Sequence, residues 1–302
     1  MRGGPFLARR ERFGVVGSTN DIVRAWLADG TPEVCLAVAD EQSAGRGREG
    51  RAWSAPAGAA LLLSLGFRPA SLAPERTWRL AASVALAMAD AAEETAGLRD
   101  GAIRLKWPND LVVEAPDRGP AGPGLPGAAA AVVVPGLPEP GWSSGFRKLG
   151  GILGETEGLG TPDPRVVVGI GVNADWPAAD FPAAMAPTMT SLREASGGRP
   201  IDREALLEAF LARLEPRVLV LGEGRFDVGG WHERQLTTGR LVRLELPGQP
   251  PATVRAVGVD GASGALLVAD PTVPGAERAV LAGEVVRVRL EPDPAPGAAA
   301  GV

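Results

Sequence analysis

A run of glycine and arginine, "GRGREGRAW" (Gly45–Trp53), lies between two apolar stretches with the composition of buried strands, residues 33–40 and 60–67. These flanks decide what the run can be. Gly45, Gly47 and Gly50 satisfy G-x-G-x-x-G, but a dinucleotide-binding turn must open a helix and meet an acidic residue about twenty positions on. Here Trp53, Pro56 and Gly58 lead instead into a second strand, "ALLLSLGF", and no Asp or Glu occurs between Glu49 and Glu75. No G-K-[ST] follows, so a Walker A loop is excluded as well. What remains is an anion cradle. Arg46, Arg48 and Arg51 offer forks that suit phosphate and carboxylate oxygens, and the glycines let backbone N–H groups approach the same ligand.

Composition narrows the function further. The 302 residues are enough for one substantial domain and a small one. A net charge of −5 gives no global pull toward nucleic acid, so any attraction to phosphate is local. One histidine (His232), one cysteine (Cys35) and no tyrosine exclude zinc sites built from His and Cys and any disulfide framework. Cys35 reads as a small buried hydrophobe. The N-terminus lacks the apolar core and cleavage site of a signal peptide, and no run is long enough to span a bilayer, which points to a cytoplasmic protein without membrane contact.

Periodicity lays out the rest. Residues 14–30 read as a strand end and a short helix, with Ser18 or Thr19 as N-cap and Gly30 just past its end. One face of a helix over 74–96 carries Trp78, Ala81, Ala82, Ala85, Met88 and Ala92. "IRLKWPNDLVV" alternates, with Ile103, Leu105 and Trp107 on one face and Arg104 and Lys106 on the other, before a turn at Pro108–Asp110. "KLGGILGE" and "RVVVGIGVN" are two more strands, and a helix from about Asp202 is interrupted or ended near Pro216. A Pro/Gly-rich insertion covers about 115–148. After residue 231 the style changes to short strands, "GRLVRLEL", "ATVRAVGV", "ALLVAD" and "AVLAGEVVRVRL", which suggest a small β-barrel. The expected class is α/β (α+β): residues 1–230, then a barrel over 231–291, then a disordered tail at 292–302.

Four ligand-shaped elements converge. Lys106 ends a strand beside a tight turn, Gly150-Gly151 permits close backbone approach, Ser18-Thr19-Asn20 opens a helix, and the arginine loop joins them. In this order, "STN" (18–20), "EQSAGRGREGRAW" (41–53), "KWPNDL" (106–111), "KLGGIL" (148–153) and "GIGVN" (169–173) resemble the motifs of biotin–protein ligases. "TSL" (190–192) and "AGEV" (282–285) resemble the family's later landmarks.

The resemblance implies a catalytic domain with a mixed sheet flanked by helices, followed by an SH3-like β-barrel. It implies ATP and Mg²⁺, with no metal ligation assigned to protein side chains, and biotin as substrate. Biotin is activated to biotinoyl-5′-AMP, then transferred to a lysine of a biotin carboxyl carrier protein domain. Carried over by position, Ser18, Thr19, Asn20, Gln42, Gly45, Arg46, Gly47, Arg48, Lys106, Gly150 and Gly151 fall to biotin. Arg48, Arg51, Trp53, Asn109, Asp110 and Asn173 fall to ATP. Lys106, Arg48 and Arg46 are the catalytic set, their charge offsetting that which develops on the α-phosphoryl and carboxylate oxygens.

Some features depart from the family pattern. Only 13 residues precede Gly14, so no DNA-binding domain is expected, and a homodimer stays open. Glu49 puts a negative charge inside the arginine motif, and Trp176 is a candidate for stacking on adenine or for burial as a core residue. Alternatives are ligation of lipoate or octanoate, and a hydrolase using Ser143 of "GWSSG" with His232, whose elbow would need a strand before it where "PGLPEP" stands.

Overall fold

The computed structural model describes residues 6–114, 145–270, 272–273, 275–285 and 287–291. The core of the insertion with Ser143, and the C-terminal tail, lie outside the described residues.

Strand β1 (Arg9–Val16), helix α1 (Thr19–Ala28) and strand β2 (Cys35–Gln42) open the chain. β1 and β2 pair in parallel, which demands a crossover, and α1 supplies it. Then come β3 (Ala60–Phe67), α2 (Trp78–Ala96), β4 (Ile103–Lys106), β5 (Asp110–Glu114), β6 (Phe146–Glu157) and β7 (Arg165–Asn173). The result is a mixed seven-stranded sheet in the order β1-β2-β3-β7-β6-β5-β4, antiparallel except for β1–β2. Helices α3 (Leu192–Ala195), α4 (Arg203–Gly222) and α5 (Val228–Glu233) follow.

Strand alternation assigns the two faces of this sheet. On β7, Val166, Val168, Ile170 and Val172 enter the main core with α2 and α4. Gly169, Gly171 and Asn173 lie on the other face, where α1 packs through Val23, Trp26 and Leu27 against Cys35, Ala37 and Val167. α4 does not stop at Pro216 as its sequence suggests. Leu206, Leu207, Phe210, Leu211 and Leu214 before it and Leu221 after it are all buried, and that packing outweighs the one backbone hydrogen bond proline removes.

β6 is irregular where it matters most. Leu111 faces Gly150 while Val112 faces Lys148, so Leu149 is the extra residue of a bulge. Lys148 and Gly151, three apart, therefore come to one face.

The C-terminal strands are β8 (Leu241–Glu245), β9 (Ala252–Val259), β10 (Leu266–Ala269), β11 (Glu277–Val280) and β12 (Arg287–Leu290). They form one antiparallel sheet in the order β11-β10-β9-β8-β12. "AVLAGEVVRVRL", read as one strand, is divided by a turn at Ala282–Glu284. β11 pairs with β10 and β12 with β8, at opposite edges of the sheet, and one straight strand cannot reach both. No helix among the described residues is long and apolar enough to cross a membrane.

Candidate active site

A cluster of buried polar side chains forms where α1 meets β2, β3 and β6. Ser18, Thr19 and Asn20 are all buried at the helix start. Ser18 is the N-cap, but its side chain makes no capping bond. Thr19 donates its amide and its hydroxyl to Gln42 Oε1 at 2.8 and 3.0 Å. The Ser64 hydroxyl lies 2.7 Å from Thr19 Oγ1 and 2.5 Å from Asn20 Oδ1, and Asn20 Nδ2 donates to Glu155. Ser64 is fully buried, a polar residue facing α1 on an otherwise apolar strand. Sequence reasoning passed over it, although a lone serine within "ALLLSLGF" was the available signal.

The glycine loop follows β2 and is tied to α1 beside this cluster through Arg46. A backbone pair links Trp53 N to Gly45 O, and Gly47 N donates to Arg51 O. Gly45 allows the closure, since a Cβ there would stand 2.3 Å from Trp53 O. Arg46 donates both arms to Asp21 at 2.7 and 2.8 Å and approaches Glu155, so the Asp21 carboxyl is held below its usual range by that hydrogen bond. Arg48 reaches the other way, donating to the carbonyls of Ala282 and Val285 at 2.5 and 2.6 Å. Glu49, which follows Arg48, lies in the left-handed region (φ 55°), as does Gly50 (φ 67°). Thus both arginines assigned to the ligand's oxygens are held by protein acceptors, one on α1 and one on the C-terminal sheet.

Beneath the loop lies a charged cluster. Lys106 Nζ donates to Val288 O at 2.9 Å and stands 3.5 Å from Asp110 Oδ2. Lys148 Nζ stands 2.6 Å from Asp110 Oδ1 and 5.3 Å from the centroid of the Trp53 ring. Burial pushes the Asp110 carboxyl up, but Lys148, Lys106 and Arg51 together outweigh it and hold the group below its usual range. Burial pulls the Lys106 ammonium down, and neighbouring Lys148 and Arg51 add to that against Asp110. Lys148 stands in "KLGGIL" but had no role in the sequence reading, because a regular strand would place it opposite Gly151. The bulge at Leu149 brings both to the cluster.

The remaining nominated residues divide. A Cβ on Gly151 would meet Lys148 Nζ at 3.3 Å, so this glycine does line the cluster. Gly150 instead packs against β7, where a Cβ would lie 2.6 Å from Gly171 O. Asn109 Nδ2 donates to Ile152 O at 2.7 Å and ties the turn to β6. Asn173 is buried, donates Nδ2 to Thr190 O and leaves Oδ1 unpaired. Trp53 lies flat against Gly171 with Nε1 buried and unpaired. Trp176 is a core residue, stacked on Phe181 at 4.3 Å. His232 is exposed on α5.

Comparison with known proteins places the chain in a family. Residues 13–173 match the biotin/lipoate A/B protein ligase family. The chain is 30% identical over 276 residues to the biotin–[acetyl-CoA-carboxylase] ligase of Mycobacterium tuberculosis, covering 90% of this chain and 86% of that protein. It is 29% identical over 203 residues to the bifunctional ligase/repressor BirA of Bacillus subtilis, spanning 51% of its length. The biotin protein ligase of Aquifex aeolicus, solved in complex with biotin and ATP, superposes with a TM-score of 0.68 at 23% identity, covering 94% of this chain and 99% of that one. The chain therefore belongs to the biotin/lipoate A/B protein ligase family.

Proposed function

We propose that this protein is an ATP-dependent biotin–protein ligase. A biotin carboxylate oxygen attacks the α-phosphorus of ATP and pyrophosphate leaves, giving biotinoyl-5′-AMP. The ε-amine of a lysine on a biotin carboxyl carrier domain then attacks the acyl carbon, and AMP leaves. One observation carries the reading: Lys106, Lys148 and Arg51 surround the single carboxylate of Asp110 beneath an arginine loop. A carboxylate and a triphosphate repel each other, and an excess of fixed cations offsets that repulsion as charge develops between them.

The roles follow from position. Thr19, Asn20, Gln42 and Ser64, with Ser18 beside them, hold the polar ring end of biotin, and Gly45 and Gly47 let the loop lie against it. Arg46 and Arg48 exchange their present acceptors for the acyl-phosphate oxygens, which turns loop closure into a swap of hydrogen bonds rather than a net gain of buried charge. Lys106, the lysine of the KWPND motif, and Lys148 meet the reacting oxygens together, each paired with Asp110. Asn173 Oδ1 is a buried acceptor suited to an exocyclic amine of adenine. No group of three metal-ligating side chains occurs among the described residues, and Asp110 is already paired with lysines, so Mg²⁺ would be carried by phosphate oxygens and water and would neutralise the triphosphate. We read residues 1–230 as the catalytic unit and the C-terminal sheet, 231–291, as closing into an SH3-like barrel.

The test is pyrophosphate release with ATP and Mg²⁺ in the presence of biotin, lipoate, octanoate or no acid, with hydroxylamine to trap the acyl-adenylate. Biotin-dependent release is expected. Release with lipoate or octanoate alone would keep the mechanism and change the substrate. Release with none would end the proposal.

A further inference from the structure

A strap of buried polar residues connects the two ends of this site. Thr188 O accepts from Lys148 N at 2.8 Å, and Thr190 N donates to Lys148 O at 2.9 Å, so the strap holds both backbone polar groups of Lys148 along one edge. The same Thr190 offers its carbonyl to Asn173 Nδ2 at 2.9 Å. Its hydroxyl donates to Glu194 Oε2 at 2.8 Å, and Arg147, the neighbour of Lys148, donates to Glu194 Oε1 at 3.3 Å. Ser191 completes the strap, its hydroxyl donating to Trp176 O and accepting from Glu194 N. Thr188, Thr190, Ser191 and Glu194 are all buried.

We propose that Thr190 and Glu194 are positioning residues for adenylation, fixing Lys148 and Asn173 at a set separation so that the acyl-phosphate and adenine ends of one nucleotide are met together. The proposal rests on the reading of Lys148 and Asn173 given above. The geometry favours it because Lys148 lies where two ladders break off: Leu149, the next residue, is the bulge against β5, and pairing of β6 with β7 stops at Gly150–Val172. The strap bonds the edge of Lys148 away from β5, which β7 leaves uncovered. Glu194 in turn ties the strap to Arg147, so a shift of α3 would move both ends of the site. A buried carboxylate bonded to a cation and a hydroxyl holds its geometry tightly, and breaking either link costs a buried hydrogen bond.

The experiment is a double-mutant cycle on the full chain, read by biotin-dependent pyrophosphate release and by thermal unfolding. Thr190→Val is expected to lower kcat about tenfold and raise the KM for ATP, and Thr190→Ser, which keeps the hydroxyl, is expected to restore both to within about twofold. In a Lys148→Ala background, Thr190→Val is expected to cost less than about twofold in kcat while its effect on Tm is unchanged. A structural role alone would give the same fold loss in both backgrounds, and that result, or full activity in Thr190→Val, overturns the proposal. If Thr190→Val does not fold, Glu194→Gln replaces it in the cycle with the same expected result. A wild-type chain that releases no pyrophosphate with any acid would overturn the ligase reading and this inference with it. An active wild type with additive losses overturns only the strap.

Discussion

Gly171→Ala is the most revealing single change. Its new methyl would stand 2.4 Å from Trp53 Nε1, 2.7 Å from Cε2 and 3.1 Å from Cζ2, where ordinary contact begins at 3.4 Å. Something must therefore move by about 1 Å. β7 cannot, because Gly171 is paired with Leu62 on one side and Gly151 on the other. The indole has to retreat, and with it the Trp53–Gly45 backbone pair that closes the arginine loop. Overpacking of this kind costs about 1–3 kcal/mol. Taking ~2 kcal/mol, the closed loop becomes about 30-fold less favourable, and Tm falls by roughly 4–8 °C for a unit of this size. The assay is biotin- and ATP-dependent pyrophosphate release beside a thermal melt, with Gly154→Ala on β6 as control because open space surrounds that position. kcat/KM should fall about 10- to 30-fold in the first variant and stay level in the second. Unchanged kcat/KM and Tm in Gly171→Ala would refute the claim that Trp53 anchors the loop on this glycine.

Lys148→Ala and Lys106→Ala should each lower adenylation about a hundredfold. Only Lys106→Ala should also loosen the C-terminal sheet, since Lys106 holds Val288 O, and hydrogen exchange across β12 would show it. Asp21, depressed by its bond to Arg46, stabilises the loop tether above its ordinary value of 3.8 and loses that contribution as pH falls below it. Exchange protection of residues 45–52 should therefore be flat at neutral pH and drop in acid, whereas in Asp21→Asn it should be low throughout; an acid step persisting in that variant would break the assignment. Burial pushes the Cys35 thiol up to about 11, so at pH 8 a disulfide reagent should label the native chain at least about a hundredfold more slowly than the urea-unfolded one. Equal rates would show that β2 is open to solvent.

Ser64→Ala isolates the polar cluster at α1 from the loop. It should raise the KM for biotin while leaving the ATP dependence unchanged, because the Ser64 hydroxyl is bonded to Thr19 and Asn20. A matching rise in the KM for ATP would mean that the two ends of the site are not separable.

Much of the architecture is local and could be read directly. The apolar run Ala60–Phe67, the alternation of 103–107 and the helical stripe over 78–96 each hold their elements through side-chain period alone. The contest over Gly45–Trp53 was also decided locally, by the strand that follows where a helix was needed. Errors arose where packing overrides local preference. α4 continues through Pro216 because its flanks are buried, and the chain after Val280 breaks because its two halves serve opposite edges of one sheet.

The sequence by itself determined which residue types gather here: arginines on glycines, two lysines in separate motifs, an STN helix start, and almost no histidine. Those are properties of composition and order, and they identify the chemistry. Which groups face one another was decided only by the tertiary structure. Lys148 reaches Asp110 because one extra residue in β6 reverses the strand's parity. Ser64 joins Thr19 because β3 runs beneath α1, and Asn109 is tied to β6 while Asn173 keeps an open acceptor. Arg46 and Arg48, two positions apart in one loop, are held by α1 and by the C-terminal sheet. Sequence spacing fixes direction only within a regular element, and each of these contacts depends on how separate elements pack or on where one of them is irregular.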